Sequence, residues 1–323
     1  IAPVAYLLLQ LQYASALNFA SSSLQHLAVL AFSLLAIYLL SKEAKGAFAG
    51  GCIAMVLAVA SSPNGFFLAP VGVALLVQEK RWRDAAIWAG LFAPVLGFYL
   101  FRYAPAPAGA SGGSQGAAAL LHIHPVYILS FVGASAARYV SVLPSVLLGT
   151  VLCGVFGFAI QRRYFRQNPA VFFSMLFILI NAVAVSFLRS DSGVSQSLAS
   201  RYRTYSNLML AFSYIFLVEN VVPRARHARA HARVVAAALV LSMAFCLVSD
   251  VAGARFLAGK KVALTRTYAL QMGRTASSGD MRVADTEINP ALQRQIVDGI
   301  YNVNLPILRE SMRLGVYRPP GLP

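Results

Sequence analysis

Apolar runs of helical length, separated by short polar connections, constrain this chain more than any other feature. They lie at 24–41, 46–61, 65–78, 85–103, 142–160, 171–188, 207–222 and 234–251. About 20 predominantly apolar residues form an α-helix long enough to cross a bilayer core of about 30 Å. Lipid satisfies no exposed backbone group, so such runs become helices there. The composition agrees, with 58% hydrophobic residues and only 12% charged, where soluble domains carry about 25% charged residues. The expectation is an all-α, polytopic membrane protein of about eight transmembrane helices.

The remaining segments qualify this outline. The runs at 46–61 and 65–78 are short and split by Ser61-Ser-Pro-Asn-Gly65, a strong turn signal. They read as a tight hairpin lined by other helices rather than lipid. Residues 1–23 carry Gln10, Gln12, Asn18 and a serine run at 21–23, which suits an interfacial or re-entrant segment. The stretch 104–125 is rich in Gly, Ser and Pro and resists regular structure, and 126–137 reads as a helix along the surface. Trp82 and Trp88 suit the membrane interface. Residues 252–323 read as an amphipathic helical tail, where Asn289 and Pro290 start a helix carrying Leu292, Ile296, Ile300 and Val303 at helical spacing. Cys52, Cys153 and Cys246 all sit in apolar runs, as small packing residues do.

Charge sets the expected orientation. With alternate loops on alternate sides, one side holds twelve Lys and Arg in short connections at 42–45, 80–83, 162–166 and 224–233. The other holds five before the tail: Arg102, Arg138, Arg189, Arg201 and Arg203. Cytoplasmic loops collect Lys and Arg, so the first side is assigned to the cytoplasm of a bacterial inner membrane. The tail and the loops at 104–125 and 189–206 then face the periplasm. The same scatter argues against nucleic acid as the partner of a chain with net charge +16, because a nucleic-acid surface gathers its basic residues on one element or face.

The polar connection 189–206 holds three arginines, two tyrosines and six serines in eighteen positions. A plain hairpin needs far fewer polar residues. Guanidinium groups recognise phosphate bidentately, so Arg189, Arg201 and Arg203, with Tyr202, are candidates for holding a lipid-linked phosphate. The alternative is that the arginines snorkel to headgroups while the tyrosines form an interfacial belt. Arg201 and Tyr205 share a face if this segment opens the next helix. Asp191 is the carboxylate within the stretch, and reads as a loop or capping aspartate before it reads as a catalyst. His122 and His124 precede Pro125 at the same membrane face, as substrate hydrogen-bonding groups or a solvated loop end. No metal-ligand spacing is visible.

Several motifs together carry a resemblance. Arg189-Ser190, Gly193, Gln196 and Ala199-Ser-Arg-Tyr202 lie between two membrane runs. Asn64-Gly65 with Pro70 marks a hairpin, and Arg81-Trp82-Arg83 a basic loop after it. Leu11-Gln12-Tyr13 with Gln25, and the run from Gly315 to Pro320, complete the set. In this order they resemble bacterial polytopic proteins of the GT-C glycosyltransferase type. The resemblance implies transfer of a sugar from a polyprenyl-phosphate-linked donor, on the outer face, for cell-surface glycan or lipid modification. It implies phosphate contacts from the arginines, weaker substrate contacts from Gln12, His122, His124 and Gln196, and membrane lipids as surroundings. Such chemistry needs a carboxylate to deprotonate the acceptor, or to help a divalent cation such as Mg or Mn do so. In these proteins that carboxylate lies in a first outer loop. The chain starts at Ile1 with no such loop, so the expectation is a later part of a longer protein, with the acid upstream. After Gln12-Tyr13, where the pattern has an acidic or aromatic residue, this chain has Ala14-Ser15-Ala16. Two other functions fit the same arginines: a transporter or flippase of a lipid-linked or anionic substrate, and a non-catalytic subunit that binds partner subunits of a membrane complex.

Overall fold

The computed structural model describes residues 2–11, 20–102, 124–137, 142–189, 193–220 and 228–271, and among them every regular element is helical. In chain order the α-helices are α1 (Ala2–Leu8), α2 (Ala20–Leu40), α3 (Ala47–Ser61), α4 (Leu68–Gln78) and α5 (Trp82–Arg102). They continue with α6 (Pro125–Val132), α7 (Leu143–Gln161), α8 (Pro169–Arg189), α9 (Ser200–Asn220) and α10 (Ala228–Gln271). Short 3-10 turns at Pro63–Phe67, Ala134–Ala136, Tyr164–Arg166 and Val194–Leu198 link several of them. Residues up to Val251 form one compact unit, and the chain from Ala252 is grouped separately. Of that second part only the continuation of α10 to Gln271 is described, and the tail helix expected at 289–303 lies outside the described residues.

Among the described residues, three helices are long and apolar enough to cross a membrane: Leu143–Gln161, Pro169–Phe187 and Val235–Gly259, in α7, α8 and α10. In α7, Leu143, Leu147 and Val151 are 65%, 60% and 61% exposed. Their spacing of four puts them on one helix face, while Ser145, Gly149, Leu152 and Phe156 turn inward. A helix facing water would carry polar residues on that outer stripe, so its natural neighbour is lipid. α10 repeats the pattern, exposing Val240, Leu241 and Leu247 while burying Ser242, Cys246 and Ser249. α8 is enclosed instead, with Met175, Phe177, Ile178 and Ala182 fully buried. In the hairpin, α4 buries Val71, Leu75 and Leu76 and leaves Pro70 and Ala74 exposed, while α3 buries Ala54, Met55 and Ala58 and exposes Ile53 and Val56, so each helix keeps one face outward rather than being enclosed.

Two local expectations are corrected. The segment 126–137 does not lie on the surface: Tyr127, Phe131 and Val132 are fully buried, and α6 packs among α7, α8 and α9. Its eight residues are too few to be stable alone, and the backbone of α7 comes unusually near. A Cβ on Gly149 would overlap the Leu129 carbonyl oxygen, and one on Gly133 the Ser145 carbonyl oxygen. Small residues allow this approach between helices in a membrane. Trp88 is not an interface residue either. It is fully buried on the inward face of α5 with Ala85 and Phe92, and its Nε1 donates to the Ala69 carbonyl at 3.2 Å. Trp82 is the exposed tryptophan, at 64%.

Hydrogen bonds fasten the connections to neighbouring helices. Asn64 Nδ2 donates to Tyr205 Oη at 3.3 Å, which places the hairpin tip beside the start of α9. α4 leads away from that tip for 11 residues, about 16 Å of helix. Beyond it, Arg81 pairs with Asp84 at 2.7 Å and donates to the Leu40 carbonyl at 2.7 Å, fastening the α4–α5 connection to the end of α2. At the far end of α9, Tyr164 Oη donates to Glu219 Oε2 at 2.6 Å, and Asn168 Nδ2 reaches both Glu219 oxygens at 3.4 Å. Burial, then the Glu219 carboxylate, raises the Tyr164 phenol above its ordinary pKa, so it remains the donor in this bond. The N-terminal segment is held by α10, where Asp250 Oδ1 accepts from the Leu11 amide at 2.7 Å.

Candidate functional site

The polar connection is shorter than its composition suggests. α8 runs to Arg189 and α9 starts at Ser200, so the second half of 189–206 is helix rather than loop. Polar residues at that point signal the end of the apolar run, and they are equally compatible with the first turns of a helix entering a membrane.

Helical geometry assigns these residues different jobs. Consecutive positions are about 100° apart, so Tyr202 and Tyr205 share an inward face and are 2% and 0% exposed. The Phe131 ring of α6 meets them at centroid distances of 4.7 and 5.6 Å. One turn further, Ser206 Oγ donates to the Val132 carbonyl at 2.6 Å, accepts from the Ser135 amide at 3.0 Å and lies 2.9 Å from Ser135 Oγ. On the connection itself, the Ser197 and Ser130 hydroxyls meet at 2.6 Å. The start of α9 is therefore fixed to α6 and its following turn by aromatic packing and buried hydroxyls.

The hairpin tip adds a third support. Ser62 Oγ accepts from the Asn64 amide at 3.4 Å, and a Cβ on Gly65 would come within 2.6 Å of the Ala58 carbonyl carbon. Only glycine lets the tip fold back this tightly, with the Asn64 side chain on Tyr205.

Arg201 and Arg203 leave α9 on either side of Tyr202. The Arg201 guanidinium lies over the Tyr202 ring, 5.0 Å from its centroid. Nε of each arginine is buried and without a hydrogen-bond partner, and among the described residues the ion pair present is Arg81–Asp84, in the α4–α5 connection. A buried donor without an acceptor costs about 1–3 kcal/mol, and more when charged. Both groups are thus held as donors at a helix N-terminus, where the backbone dipole also favours an anion.

The other expected residues fall as follows. Gln196 is exposed in the 3-10 turn. His124 takes the capping position before α6 with an extended backbone, and is half-buried. Arg189 ends α8, and its side chain lies outside what is described. Gln12, His122 and Asp191 lie outside the described residues altogether. Among the described residues no three His, Cys, Asp or Glu side chains gather where they could hold a metal ion. That Asn64, Phe131, Ser135, Ser197 and Ser206 hold the site in place was not legible, because an amide, a hydroxyl or a phenyl ring carries no mark of which helix it meets. No family model matches the chain, and no curated protein and no solved structure matches it.

Proposed function

We propose that this chain is a multi-pass protein of the bacterial inner membrane, with about eight spans, the start of α9 facing the periplasm and the C-terminal tail on that side. On this reading it is a GT-C-like glycosyltransferase domain, and Arg201 and Arg203 hold the phosphate of a polyprenyl-phosphate-linked sugar. The observation that carries the reading is the pair of buried, unpartnered guanidinium Nε groups at the first turn of α9. A phosphate supplies the acceptors those donors lack, through charge-assisted bonds of about 1.5–3 kcal/mol each. The Tyr202, Tyr205 and Ser206 contacts hold the helix start in place before the ligand arrives, which lowers the cost of binding. As the glycosidic bond to phosphate breaks, negative charge grows on the departing phosphate, and cations fixed beside it stabilise that charge. Deprotonation of the acceptor falls to a carboxylate, for which Asp191 is the candidate in this connection, with Arg189 as a third phosphate contact.

The test is binding of polyprenyl phosphate to the purified full chain in detergent. Arg201→Gln with Arg203→Gln is expected to weaken binding at least 10-fold, since about 1.4 kcal/mol is one decade, while thermal stability holds or rises. Equal affinity in the double variant would contradict the reading. Vesicle experiments separate the alternatives: formation of glycosylated acceptor together with free polyprenyl phosphate favours the transferase, and movement of intact donor across the bilayer favours a flippase.

A further inference from the structure

We propose that the connection between α7 and α8, at the end of the unit opposite Arg201 and Arg203, is a binding site for anionic phospholipid headgroups formed by Arg162, Arg163 and Arg166. This site is independent of the function assigned to α9. It joins two helices that are each long and apolar enough to cross a membrane, so it lies at a bilayer surface whichever way the chain is inserted.

Four observations shape it. All three arginines are exposed, and among the described residues none of them forms an ion pair, the pair present being Arg81–Asp84. Glu219 of α9, which meets this connection, is already engaged: it accepts from Tyr164 at 2.6 Å and from Asn168 at 3.4 Å. The guanidinium groups are also braced. Arg162 lies over the Phe158 ring at 5.0 Å and Arg166 over the Phe165 ring at 5.8 Å, contacts that orient a cation on an aromatic face. Arg163 adopts a left-handed backbone, φ 53°, and turns the chain so that the cations at either side of it flank a tight bend.

The occupant follows from charge and place. A cluster of cations at a membrane surface attracts anionic lipid, each Arg strengthening binding about fivefold, and a guanidinium matches a phosphodiester in two-point geometry. A zwitterionic headgroup offers the same phosphate with a cancelling ammonium, so phosphatidylglycerol is favoured over phosphatidylcholine.

Native mass spectrometry of the full chain released from detergent tests this, titrating phosphatidylglycerol and phosphatidylcholine separately. The wild type is expected to retain phosphatidylglycerol at least tenfold better. Arg162→Gln, Arg163→Gln and Arg166→Gln together are expected to abolish that preference, and the matching triple Lys substitution to keep most of it, with unchanged unfolding temperatures. Equal retention of the two lipids by the wild type overturns the proposal. So does a Gln triple that retains phosphatidylglycerol as the wild type does, or a Lys triple that fails as completely as the Gln triple.

Discussion

Ser206 touches α6 and the turn after it through three polar contacts no longer than 3.0 Å, all of them buried. Ser206→Ala removes the donor to the Val132 carbonyl and leaves the Ser135 amide without its acceptor, an expected loss of about 1–3 kcal/mol. Thermal unfolding in detergent reads it. Tyr205→Phe loses only the longer, neutral bond from Asn64 and keeps the ring against Phe131, so its effect is expected to stay near or below about 1 kcal/mol. If Ser206→Ala proves the milder of the two, the hydroxyl network does not fix the start of α9. The difference between these residues was invisible in the sequence. Ser174 and Ser186 satisfy themselves on their own helix at Ala170 and Val183, whereas Ser206 crosses to another one. The arginines were legible as candidates, since a charge beside an apolar run is costly wherever it points. Their separation around Tyr202 became visible only with the helix boundary at Ser200.

At the scale of elements, the crossing of α6 and α7 is the closest backbone contact near the site. Gly149→Val inserts a side chain where a Cβ already overlaps the Leu129 carbonyl oxygen, and overpacking of this kind costs about 1–3 kcal/mol or more. Gly154 and Gly157 on the same helix face open space, so Gly154→Ala is expected to be neutral or slightly stabilising, given the low helix propensity of glycine. Thermal unfolding and size-exclusion profiles of the two variants provide the comparison; similar behaviour would remove the crossing from the account. Positions of the longer helices were legible because a long apolar run has few other ways to satisfy its backbone in lipid. α6 was misplaced for the opposite reason. Eight residues carry too little periodicity to distinguish a surface helix from one enclosed by neighbours, and the decisive contacts come from Gly133 and Gly149.

On the scale of the unit ending at Val251, the connections gather into two ends of different chemistry. One end carries the exposed cations Arg162, Arg163 and Arg166, beside the Tyr164–Glu219 bond at the far end of α9. The other carries the hairpin tip, the buried hydroxyls and the two arginines without acceptors. The uneven distribution of charge among the connections was readable from the sequence. Which loops meet was not, since Asn64 and Tyr205 are 141 residues apart and neither carries a charge. The central claim is that these two ends lie on opposite membrane faces, with Arg201 and Arg203 outside. The direct measurement replaces Cys52, Cys153 and Cys246 by serine, then introduces Ser195→Cys or Gln167→Cys, both exposed positions, and applies a membrane-impermeant maleimide to intact cells. The account predicts labelling of Ser195→Cys from outside and of Gln167→Cys only after permeabilisation; the reverse pattern, or equal labelling of both in intact cells, would contradict it.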